Sequence, residues 1–138
     1  MIMQVQMLDN VAHLQQVVRF EIYNSLTDTK ITDLSQGYIY SSSLIGVAGS
    51  DINIRAITDP NDAVGSCVFI LVGPSNYTRT ETAAPYALFG DTAGNYNGWS
   101  SQVAYNTGSY QLSCTPYQGS GGAGVPGRAL YVEFQMRN

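Results

Sequence analysis

At 138 residues the chain has the length of one domain and enough material to bury its own core. Only 12% of its residues are charged, and the net charge of −4 with a pI near 4.6 lacks the basic footprint that nucleic acid or an anionic lipid surface requires. No apolar run approaches the roughly 20 residues of a membrane helix, so membrane insertion is not expected.

Residues 1–16 form an arm in which Met3, Val5 and Met7 alternate with Gln4 and Gln6. On one reading this is an added edge strand or a loose terminus. On the other it pairs with the sheet edge of a neighbouring copy and builds a fibre or oligomer. Val18, Phe20 and Ile22 then alternate with Arg19, Glu21 and Tyr23, which predicts a strand with one buried face. A turn-rich stretch carries the only lysine, Lys30, and residues 38–47 read as a short strand and its connection. Ile52, Ile54 and Ala56 alternate with Asp51, Asn53 and Arg55 up to the turn at Asp59, Pro60, Asn61 and Asp62. Cys67, Phe69 and Leu71 share the next buried face, closed by Gly73 and Pro74. Tyr86 and Leu88, then Tyr110, Leu112 and Cys114, and finally Leu130, Val132, Phe134 and Met136 supply further inward positions. The glycine-rich run at 119–127 reads as a flexible hairpin loop between the last two strands.

No window shows a helical period, so the fold class is all-β, with seven or eight short antiparallel strands over residues 17–138. The segments Asp51-Ile-Asn-Ile-Arg-Ala, Val64-Gly-Ser-Cys-Val-Phe, Ala84-Pro-Tyr-Ala-Leu-Phe-Gly-Asp, Gly94-Asn-Tyr-Asn-Gly-Trp, Gly108-Ser-Tyr-Gln-Leu and Pro116-Tyr follow one another in this order. In that order they resemble an immunoglobulin-like or fibronectin-like β-sandwich module of secreted and cell-surface, mainly bacterial, multidomain proteins such as adhesins and glycan-associated proteins. The resemblance implies a spacer or adhesive role without a shared ligand. It also implies that Cys67 and Cys114 lie on neighbouring antiparallel strands. There they form either a cross-strand disulfide, worth about 4 kcal/mol by chain entropy, or two buried thiols acting as small hydrophobes.

The loop at 91–99 holds the candidate ligand residues. Asp91, Asn95 and Asn97 offer oxygen atoms to calcium, or else hydrogen-bond their own backbone to shape the turn. Tyr96 and Trp99 could stack on sugar rings, with Asp91 and Asn97 bonding hydroxyls; alternatively they cap the sandwich. Catalysis has less support: His13 is the sole histidine, and Glu21 and Glu133 have outward strand parity while Glu81 sits by Arg79. A surface built from Ser, Thr, Asn, Gln, Gly and ten Tyr matches secreted β proteins. The expectation is therefore a non-enzymatic extracellular or cell-surface module, structural or adhesive, that partners other copies of itself, neighbouring surface proteins or glycans. A carbohydrate-binding module using the 91–99 loop is the alternative.

Overall fold

The computed structural model describes residues 15–61 and 64–138; Met3, Val5 and Met7 of the arm, with His13 and Asp62, lie outside the described residues. Within them the chain forms strands β1 (Gln16–Asn24), β2 (Thr29–Leu34), β3 (Ile39–Ser41), β4 (Ile52–Asp59), β5 (Ser66–Val72), β6 (Tyr77–Glu81), β7 (Asp91–Thr92), β8 (Asn95–Tyr96), β9 (Gly108–Tyr117) and β10 (Leu130–Arg137). A single helical turn, α1 (Ser42–Ile45), is capped by the Ser41 hydroxyl accepting from Leu44 N and ends at Gly46, whose φ of 76° suits glycine.

The strands assemble a three-stranded sheet in the order β2-β1-β4, a five-stranded sheet in the order β3-β10-β9-β5-β6, and a small β7-β8 hairpin. Pairing is antiparallel throughout except between β3 and β10, which run parallel. Residues 86–88 add to the free side of β4, with Ala56 N donating to Tyr86 O and Leu88 N to Ile54 O, both at 2.8 Å. The root of β1 attaches instead to the segment that leads into β10. There Arg128 N donates to Gln15 O and Val17 N to Arg128 O.

Period-two alternation is what aims one face of each strand inward. Phe20, Ile22, Ile52, Ile54 and Ala56 from one sheet meet Phe69, Leu71, Tyr110, Leu112, Phe134 and Met136 from the other in a single core. Each large side chain buried there contributes roughly 1.5–3 kcal/mol. Val18 departs from the expected face: it is 43% exposed, and Val17 is buried in its place. The register of β1 against β4 slips between Val17 and Arg19, a bulge that moves every residue before it to the opposite face.

The glycine-rich stretch is pinned rather than a free hairpin loop. Gln118 N donates to Val125 O, Gly119 N to Ala123 O and Gly127 N to Pro116 O. The buried Ser66 hydroxyl donates to Gly119 O at 2.6 Å and accepts from Gly122 N at 2.9 Å, tying the loop to the start of β5. A side chain at Gly65 would collide with the Gln118 backbone, so close approach requires glycine there.

Candidate functional site

The 91–99 loop is organised by its own polar groups. Asp91 Oδ2 accepts from Gly94 N at 2.8 Å, and Ala93 and Gly94 take the left-handed φ values of a tight turn. Asn97 Oδ1 accepts from Thr92 Oγ1, while its Nδ2 donates to Phe89 O. Asn95 is exposed and stands across the β7-β8 pair from Thr92. Among the described residues no three His, Cys, Asp or Glu side chains gather where they could hold a metal. Asp59 Oδ2, at the end of β4, accepts from Gln16 Nε2.

Trp99 is not a surface platform. It is fully buried, with ring centroids 5.0 Å from Phe89 and Tyr110 and 5.1 Å from Tyr105. Its indole N–H has no acceptor among the described residues. Tyr96, the expected companion, turns to the opposite sheet, where its ring lies 4.5 Å from that of Tyr23 and its backbone N donates to Asp28. Burial, with opposing help from Arg55, pushes its hydroxyl up to about 12. The two aromatics therefore belong to different clusters, and the paired sugar platform does not form.

A residue the sequence reading left facing outward holds this loop in place. Asn53 is fully buried in β4, donates from Nδ2 to Gly90 O at 2.8 Å, and accepts at Oδ1 from Ile54 N and Phe89 N. An amide in the middle of an isoleucine strand was the available signal, since a buried polar group must be bonded.

The cross-strand disulfide is not formed: Cys67 and Cys114 are free and fully buried. Their strands are antiparallel neighbours, as implied, but Cys67 stands opposite Pro116 and Cys114 opposite Phe69. The two are therefore diagonal neighbours rather than directly opposed, and they meet as a pair of thiols. Burial and a hydrogen bond with Cys67 push the Cys114 thiol well above its usual range, so it behaves as an inert core group.

Two glutamates are engaged in ion pairs, and Asp33 shares Lys30 with one of them. Glu21, expected at the surface, is buried beneath Arg19 at 2.8 Å, Lys30 at 3.0 Å and the Tyr23 hydroxyl. Burial raises its pKa, but the hydrogen bonds and charges of Lys30 and Arg19 outweigh burial and leave it below the ordinary 4.5. Glu81 Oε1 lies 3.2 Å from Arg79 Nε without the alignment of a hydrogen bond. There burial prevails over Arg79, Asp91 adds repulsion, and the Glu81 carboxyl titrates above 4.5.

The outer face of the five-stranded sheet is a separate surface. Cross-strand register sets Val72, Gln111 and Glu133 in one row and Ile70, Ser113 and Tyr131 in the next. Ile70, Val72 and Tyr131 are 46%, 47% and 49% exposed. A cleft of about 260 Å³ opens at the first row, between Val72 and Gly73 on one side and Glu133, Gln135 and Gly37 on the other.

No protein-family model matches the chain, and neither a curated protein nor a solved structure shows significant similarity to it. Among the described residues no helix is long and apolar enough to cross a membrane.

Proposed function

We propose that the chain is a non-enzymatic, extracellular structural or adhesive module built as an immunoglobulin-like β-sandwich. The observation that carries this reading is the use made of the 91–99 loop. Asp91 and Asn97 hold its turns and Trp99 anchors it in the core, so the segment richest in polar and aromatic groups serves the scaffold. Two sheets around one core, with residues 86–88 extending the smaller sheet and β3 running parallel to the final strand, support the immunoglobulin-like arrangement. The low-charge surface supports an extracellular or cell-surface setting.

Self-assembly through the arm at residues 1–16 is part of the proposal. Gln15 to Val17, where that arm joins the domain, pair in strand fashion with Arg128. Size exclusion with light scattering tests this directly. The intact chain is expected to form oligomers that revert to monomers when residues 1–12 are deleted. A monomer in both cases would remove the assembly role while leaving the module reading intact.

A further inference from the structure

We propose that the cleft on the outer face of the five-stranded sheet is a binding site for a neutral saccharide. This goes beyond the structural role above and is separate from the 91–99 loop. The cleft lies over β5, β9 and β10, each already paired on both sides, so its floor offers no free backbone edge. Even the outer edge of β10 is occupied here: Gly37 N donates to Glu133 O, and the Gln36 side chain accepts from Glu133 N. An extended peptide, which is recognised mainly through main-chain pairing, therefore has no strand to join. Whatever binds must be read by side chains.

Those side chains are a carboxylate, an amide and hydroxyls beside aliphatic surface. Gln111 and Glu133 stand opposite each other in the register, and neither side chain has a hydrogen-bond or ion-pair partner among the described residues. Ser109 adds a hydroxyl at the near end and Val72 an apolar wall, and Ile70 and Tyr131 stand exposed in the next row of the same face. A sugar ring presents the matching pattern, with a C–H face for the Val72 wall and an equatorial rim of hydroxyls for Gln111 and Glu133. The free carboxylate in a chain of net charge −4 disfavours anionic sugars. At about 260 Å³ the cleft falls just below the ~300–1,000 Å³ of drug-sized pockets, which suits one or two rings.

The test is an array of neutral and acidic oligosaccharides probed with the labelled full chain. Titration of any retained oligosaccharide, followed by amide NMR shifts, then maps its site. Neutral glycans should be retained, with shifts at Gly37, Gly73 and Ser109. Gln111→Ala and Glu133→Ala, both at exposed positions, should each weaken binding roughly tenfold while leaving the thermal midpoint unchanged. Retention of acidic glycans alone, shifts confined to residues 91–99, no retention of any neutral glycan, or unaltered affinity in the double variant would overturn the site. Cleavage of a retained glycan would overturn the non-enzymatic reading instead, without touching the location of the cleft.

Discussion

Trp99, Glu21 and Glu81 show how single residues carry the stability of this molecule. Trp99 fills the junction between Phe89, Tyr105 and Tyr110, and Trp99→Ala should cost about 3–5 kcal/mol, measured by denaturant unfolding. Trp99→Phe should cost less, because it also removes the unpaired indole N–H. The two glutamates act with opposite sign. Glu21 titrates below 4.5 in the fold, so its stabilisation is complete above about that pH and fades as pH falls through its lower folded value. Glu81 titrates above 4.5, so its ionised form costs stability at neutral pH, and that cost disappears as pH falls through its raised value. Thermal scans across acidic and neutral pH should therefore find Glu21→Gln less stable than the parent at neutral pH and Glu81→Gln more stable. Both differences should shrink in acid.

Individual elements explain what could be read ahead of the structure and what could not. The inward apolar positions of β4, β5, β9 and β10 recur at every second residue, so they were legible one by one, including Phe69, Leu112 and Phe134, whereas the buried Asn53 and Ser66 were not. β1 was read one residue out of phase at its start, because a bulge leaves no mark in a run of Val17, Val18 and Arg19. The cysteines were placed on the right strands but not in the right rows, since parity fixes a face and only register fixes a partner. Glycine content predicted a loop at 119–127, whereas its order comes from Ser66, distant in sequence. Ser66→Ala should cost about 1–3 kcal/mol by leaving Gly119 O and Gly122 N unpaired, and should speed amide exchange across that loop specifically.

At the scale of the whole molecule, the β2 and β6 edges of the two sheets are guarded by charge. β2 carries Lys30 paired with Asp33, and β6 carries Arg79 and Glu81 on its inward side; charges so placed discourage casual strand addition. Assembly, where it occurs, should then depend on the arm rather than on edge-to-edge contact between sheets, and deletion of residues 1–12 should abolish it completely. The account divides the surface into a scaffold end at 91–99 and an open sheet face around Gln111 and Glu133. Trp99 is the chain's only tryptophan, so fluorescence of the native protein reports on that division directly. The account predicts blue-shifted emission, poor quenching by iodide and acrylamide, and a cooperative red shift on unfolding. Red-shifted, readily quenched emission from the folded protein would place Trp99 in solvent and contradict the scaffold role of the loop.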